Sequence, residues 1–413
     1  MPEFLTLLPP QAARAYWLKH IAAVKKPLAI ESVPTTQAMG RIVATPIIAP
    51  YPMPSFTRSA MDCYAVRAVD TYGASEGLPA YLHLVGEVKM GETPACDVET
   101  AECVLIHTGG MLPRGADAVV MLENSQLVLS AEVEVFRPVA MGENVIFKGE
   151  DVQEAELVIQ AGAPLRTVEI GGLMAFGMLS VPVYRRPVVG ILSTGDEVVP
   201  PQAEILPGQV RDINTYTLSA LVSKHGGEAR SFGILSDKIE VVYQAALTAW
   251  QECDLVAITA GSSASARDLT AEVIQRLGEP GVLVHGINLR PGKPTILALC
   301  NGKPVIGLPG NPISALVVAG LFLVPAIQTL LGVNKELPKP YVQARLTTNL
   351  ASQAGREEWV AVRLLASPEG YLAEPVFGKS NLIFTLTRAD GLICIPPEVT
   401  GLNAGELVEV VYL

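Results

Sequence analysis

The sequence predicts a multidomain α/β protein built around a doubly wound, mostly parallel sheet, with β domains before and after it in the chain. Three observations lead there. Between residues 187 and 332, apolar runs alternate with helical patterns. Between 49 and 145, short Val-, Gly- and Pro-rich runs replace them, and after Pro338-Lys339-Pro340 the apolar residues fall at every second position. Strands alternating with helices of roughly 10–15 residues indicate parallel βαβ units with helices on both faces. Period-two runs separated by turns indicate a small β domain or barrel.

In the central region the strand-like runs are 188–192, 229–234, 254–259, 282–289 and 295–307, the last broken by a turn at Asn301-Gly302. Helical patterns lie between them at 215–225, 237–251 and 268–277 and follow at 313–331. Upstream, "AYLHLVGEVKM", "ECVLIHTGG", "AVVML" and "VEVFRPV" read as strands of a small β domain over 49–145. A helix at 11–24 and an extended arm precede it, and an extended-then-helical stretch follows at 146–186. The two flanks are expected to pack together as a discontinuous N-terminal domain, 1–48 with 146–186, followed by 187–335 and 338–413. A chain of 413 residues accommodates that, at roughly 150 residues per domain.

Composition narrows the function. Thirty basic residues against 41 acidic ones give a net charge of −11, which argues against nucleic acid or an anionic membrane as the main partner. A small anion is not excluded, because a ligand responds to the local field. Six scattered cysteines without C-x-x-C spacing and five dispersed histidines suggest neither a zinc site nor a disulfide framework. Reduced thiols and a start without a basic-then-apolar leader fit a cytoplasmic protein. Residues 313–331 carry no charge and are long enough to span a bilayer. They contain Pro325 and follow a Gly/Pro loop, so we expect a buried helix.

Several loops carry candidate chemistry. In sheets of this kind ligands bind beyond the carboxyl ends of the strands. "TGDE" places Asp196 and Glu197 at such an end. Magnesium takes oxygen ligands, usually one or two carboxylates plus substrate phosphates, so this pair is a candidate cation site. "NLRPGKPT" offers Arg290 as a planar fork and Lys293 as a point charge for an oxyanion. "GLPGNPIS" stiffens a turn with Pro309 and Pro312 and opens the long helix. It is either an anion-binding helix start or a tight turn capped by Asn311 or Ser314. Asp62 in "SAMDCYAV", Asp151 in "FKGEDV" and Asp212 in "QVRDINTY" read equally as turn or cap residues and as functional carboxylates.

Taken together, "SAMDCYAV", "TGDE", "GQVRDINTY", "RPGKP" and "GLPGNPISA", with "KSNLIFTLTRADGLICIP" near the end, resemble the molybdopterin molybdenumtransferase family (MoeA and the E domain of gephyrin-type proteins). The resemblance spans nearly the whole chain. It implies an elongated four-domain homodimer with a discontinuous first domain, an inserted β domain, a molybdopterin-binding α/β domain and a C-terminal β barrel. It implies insertion of molybdate into adenylylated molybdopterin, with magnesium-dependent release of AMP. Catalytic roles then fall on Asp62, Thr108 of "IHTGGMLP", Asp151, Glu197 and Asp212. Asp196 joins Glu197 as a metal ligand. Substrate binding falls on Gly261, Asp268, Arg290, Lys293, Pro309, Pro312, Ser314 and Arg356 of "GREEWV".

The chain departs from the family pattern twice. Cys63 stands where the pattern after Met-Asp is usually Gly, and a Cβ there is expected to narrow the site or demand another backbone angle. "TAGSSASARD" (259–268) keeps only Gly261 of a loop usually reading Ser-Gly-Gly-Val-Ser-Val-Gly. Two further readings therefore stand beside the enzyme: a non-catalytic carrier or scaffold for molybdopterin or the finished cofactor, and an enzyme acting on another phosphate-bearing ligand.

Overall fold

The computed structural model describes residues 7–129, 131–260, 264–333 and 340–413. The chain divides into two compact units. One comprises the residues up to Thr45, Ala161–Ile170 and Ser180–Leu413, and the other Pro46–Gln160 with Gly171–Leu179.

The larger unit is organised by a six-stranded sheet in the order Glu228–Leu235, Val188–Thr194, Leu255–Ala260, Lys303–Pro309, Ile296–Cys300, Pro280–His285. Its first four strands are mutually parallel, Ile296–Cys300 runs antiparallel to them, and the edge strand Pro280–His285 pairs antiparallel with it. Every residue of Leu255–Ala260 is buried, the continuous apolar pattern that a parallel strand covered on both faces requires. Helices Asn214–Lys224 and Pro312–Leu330 cover one face through Leu218, Val222, Phe322 and Leu323. Ile239–Glu252 and Ala264–Arg276 cover the other through Val242, Ala246, Val273 and Ile274.

Pro312–Leu330 is long and apolar enough to cross a membrane, yet 72% of it is buried inside this unit, as expected of a core helix. It contains a π-helical turn at Ala319–Leu323 immediately before Pro325. A proline lacks the N–H that an α-helical turn needs, and a π turn accommodates that loss. The helix Pro10–Val24 lies on the same face of the sheet: Ala13, Trp17 and Ile21 are fully buried in this core. Trp17 Nε1 donates to Ala298 O at 2.8 Å.

Two expected boundaries moved. The helix expected at 268 begins at Ala264, because Ala264, Ala266 and Arg267 are good helix formers. The strand expected over 282–289 stops at His285, where Gly286 takes a left-handed φ of 91°. Leu289–Arg290 then joins a different sheet, pairing in parallel with Glu357 and Glu358.

That second sheet is the closed β barrel of the C-terminal region. Its five strands run Glu357–Ser367, Gly370–Pro375, Tyr341–Leu346, Leu407–Tyr412, Gly391–Ile395, and the last pairs back with the first. Alternate residues such as Ala344, Leu346, Val362, Ile393 and Val410 fill its interior. Also in the larger unit, Ile30–Pro34 pairs with Ser180–Tyr184.

The smaller unit is a β domain. Its six-stranded sheet has the order Ala118–Met121, Cys63–Val66, Glu102–Ile106, Ala80–Val88, Glu132–Val135, Ser125–Leu129. Separate two-stranded pairings join Arg58–Ser59 to Val145–Ile146 and Ile47–Ile48 to Leu157–Ile159.

Candidate active site

Because the strands ending at Thr194, Ala260 and Pro309 are parallel neighbours, their carboxyl ends share one edge of the sheet. At the first of these ends stand Asp196 and Glu197. Asp196 Oδ1 accepts the Asp237 N–H at 3.3 Å. Desolvation, then the charges of Asp196 and Glu197, raise the Asp237 carboxyl above its usual range. The donors at this strand end are carboxylate oxygens, the hard ligands that magnesium favours. Among the described residues no three His, Cys, Asp or Glu side chains converge as a complete ligand set. Two carboxylates are the number that a magnesium ion commonly takes from protein.

The backbone brings Asp212 alongside: Val210 N–H donates to Glu197 O and Asp212 N–H to Val199 O, each at 2.9 Å. Asp212 is nearly buried, and its Oδ1 accepts the Thr215 N–H at 3.1 Å, so it caps the helix Asn214–Lys224. Asn214 Nδ2 donates to Gly310 O at 2.8 Å, tying that helix start to the "GLPGNP" loop.

Within this loop, Pro312 occupies the first turn of the long helix, where its missing N–H costs nothing. Neither Asn311 nor Ser314 caps the helix as expected. Asn311 Nδ2 instead donates to Ser380 Oγ at 3.0 Å, and the Ile313 N–H reaches Ser380 O at 3.1 Å. A loop of the barrel region thus supplies the acceptor that a cap would have supplied.

The basic loop is closed by Ile287 N–H to Lys293 O at 3.0 Å and Thr295 Oγ1 to Gly292 O at 2.6 Å. Gly292 has φ 128°, and a Cβ there would meet Val318 Cγ2 at 2.5 Å. Gly292→Ala is therefore expected to push the loop off the helix and lower stability by about 1–3 kcal/mol. A shift in the chemical-denaturation midpoint measures it.

Arg290, Lys293, Ser314 and Arg356 line one cleft of about 760 Å³ between the α/β sheet and the barrel, all within the larger unit. Arg356 Nε is buried and has no partner among the described residues. Asn349, Glu358, Trp359, Phe377, Lys379 and Thr385 are among the other lining residues, and sequence reasoning did not select them. Lys379 lay in a quoted motif, but period-two patterning alone does not say which barrel loops face inward. Asp196, Glu197, Asp212 and Pro312 are not among the cleft's lining residues. Pro309 lines a small separate hollow with Ala260, Thr270 and Pro294. Gly261 and the Asp268 side chain lie outside the described residues.

In the smaller unit, Asp62 and Thr108 meet. The Thr108 N–H donates to Asp62 Oδ1 at 2.8 Å, which, with Thr108's side chain and His107, holds the Asp62 carboxyl below its usual range. Asp151 lies on a neighbouring turn, its N–H donating to Met53 O at 3.0 Å. The backbone-angle expectation for Cys63 is corrected. It sits in a regular strand, fully buried beside Ala65, Val104 and Val119, so its Cβ demands no unusual angle. Burial pushes its thiol up to about 12.

Fold and site define an α/β protein with an appended barrel and a cationic cleft suited to a small anionic ligand. Comparison with known proteins refines this. Residues 8–177 match the MoeA N-terminal region (domain I and II), 190–329 a probable molybdopterin binding domain, and 343–413 the MoeA C-terminal region (domain IV). A putative molybdopterin biosynthesis protein of Methanocaldococcus jannaschii is 36% identical, over 93% of this chain and 92% of its own length. A molybdopterin molybdenumtransferase of Nostoc is 33% identical, over 93% and 88%. The crystal structure of a molybdopterin biosynthesis MoeA protein from Pyrococcus horikoshii OT3 superposes with a TM-score of 0.86 at 30% identity, covering 99% of this chain and 100% of that one. The chain belongs to the molybdopterin molybdenumtransferase (MoeA) family.

Proposed function

We propose that this protein acts in molybdenum cofactor biosynthesis, inserting molybdate into adenylylated molybdopterin with release of AMP. The observation that carries the reading is the convergence of Arg290, Lys293, Ser314 and Arg356 on one cleft. Arg290 offers a planar fork to an oxyanion, Lys293 a point charge and Ser314 a hydroxyl donor. Arg356, whose Nη2 donates to Gln353 Oε1 at 3.3 Å, brings a second guanidinium from the barrel region. Asp196 and Glu197 would hold a magnesium ion, which when bound supplies positive charge to phosphate oxygens. Asp62, Thr108, Asp151 and Asp212 are assigned to catalysis and Gly261, Asp268, Pro309 and Pro312 to substrate binding on the family likeness. The homodimer and the four-domain division into 1–48 with 146–186, 49–145, 187–335 and 338–413 are proposed on the same likeness, and a cytoplasmic location on the scattered, unpaired cysteines.

The test is direct. Purified protein given adenylylated molybdopterin, molybdate and magnesium should release AMP, and omitting molybdate or magnesium should suppress release. No release above a protein-free blank, with tight retention of the pterin, would favour the non-catalytic carrier. Lys293→Ala should raise the KM for molybdate about tenfold with a smaller change in kcat, because a contact to the ground-state oxyanion is lost.

A further inference from the structure

We infer that Glu358 is a positioning residue that aims Arg290 into the cleft and sets the cleft's affinity for a free oxyanion. Glu358 is the second residue of the barrel strand Glu357–Ser367 and is 9% exposed. Arg290 Nη1 lies 3.1 Å from its Oε1 as an ion pair and donates a hydrogen bond to its Oε2 at 3.3 Å, and Ser352 Oγ donates to the same Oε2 at 2.8 Å. The Arg290 side chain remains 55% exposed. Only Nη1 is engaged among the described residues, so the Nε–Nη2 edge stays open for a bidentate oxyanion. The backbone pairing of Leu289–Arg290 with Glu357–Glu358 fixes the two residues' mutual position.

Among the described lining residues Glu358 is the one carboxylate, in a cleft also lined by Arg290, Lys293, Arg356 and Lys379. It therefore does two opposed things. It orients the guanidinium, which strengthens binding, and it offsets one positive charge, which weakens it. Substitutions separate them. Gln keeps an acceptor for Arg290 and a partner for Ser352 but removes the charge, whereas Ala removes both.

The inference rests on the proposed oxyanion role of the same cleft, and its test needs no turnover. Molybdate alone is titrated into the full chain, read by tryptophan fluorescence. Trp359 is the one tryptophan among the cleft's described lining residues. Glu358→Ala should weaken binding about tenfold, and Glu358→Gln should leave it unchanged or tighten it up to about threefold. Equal weakening in both variants, or no change in Glu358→Ala, would overturn the inference and leave Glu358 a structural tie. Should Glu358→Ala fail to fold, Glu358→Ser, which also removes both the charge and the reach to Arg290, takes its place under the same two criteria. Wild-type protein that binds molybdate without releasing AMP would sink the proposed reaction and leave this test intact.

Discussion

Glu197→Ala is expected to lower AMP release by about 100–1,000-fold while leaving the protein as stable as before, or more so. The loss follows from removing one of two carboxylates proposed to hold the cation that steadies phosphate charge, a kind of electrostatic contribution of about that size. The stability follows from Asp237. Its carboxyl is raised in the folded state, first by desolvation and then by Asp196 and Glu197. A raised acid favours the folded state at low pH, and that contribution is lost as pH rises through the folded value. At neutral pH the crowded carboxylates therefore oppose folding, and deleting Glu197 removes part of that opposition. AMP release and thermal melting, measured on one preparation without and with magnesium, check both halves. A variant that melts lower than wild type without magnesium would show that Glu197 is structural.

The second large effect is on folding. Trp17→Ala is expected to destabilise the larger unit by about 3–5 kcal/mol, the usual cost of emptying a fully buried aromatic site. Trp17 is 0% exposed within the core it shares with Leu297, Leu299, Phe322 and Ile327. Its indole also satisfies Ala298 O on a central strand. Trp17→Phe keeps most of the apolar volume and loses that hydrogen bond, so about 1–2 kcal/mol is expected. Denaturant midpoints of the two variants measure the difference. Similar small losses for both would mean that Pro10–Val24 is only loosely docked.

The sheet was legible in the sequence because its strands are covered on both faces and read as unbroken apolar runs, as in Leu255–Ala260. Its helices announced themselves by length and periodicity, and the Asn301-Gly302 turn that broke the last run separates two strands, Ile296–Cys300 and Lys303–Pro309. Tertiary pairing was less legible. Nothing in "HGINLRPG" says that the chain leaves one sheet after His285 and enters another at Leu289, because that depends on a partner strand some seventy residues away. Arg290, Lys293, Ser314 and Arg356 were selected by charge, turn chemistry and family likeness, and the fold brings them to one cleft. Phe377 and Lys379 were missed because an exposed barrel loop carries no periodic signal. Asn311 was misread as a cap for a related reason: the acceptor came from Ser380, far along the chain.

The parallel pairing of Leu289–Arg290 with Glu357–Glu358 has a consequence for dissecting the molecule. A fragment ending near residue 333 would not simply lack the far wall of the cleft. It would also leave the arginine without the neighbour that fixes its backbone, so the isolated sheet would be a poor stand-in for the intact receptor. Anyone transplanting this anion grip onto another scaffold has to carry both partners of that short ladder, since the hand and the wrist that steadies it come from different parts of the chain.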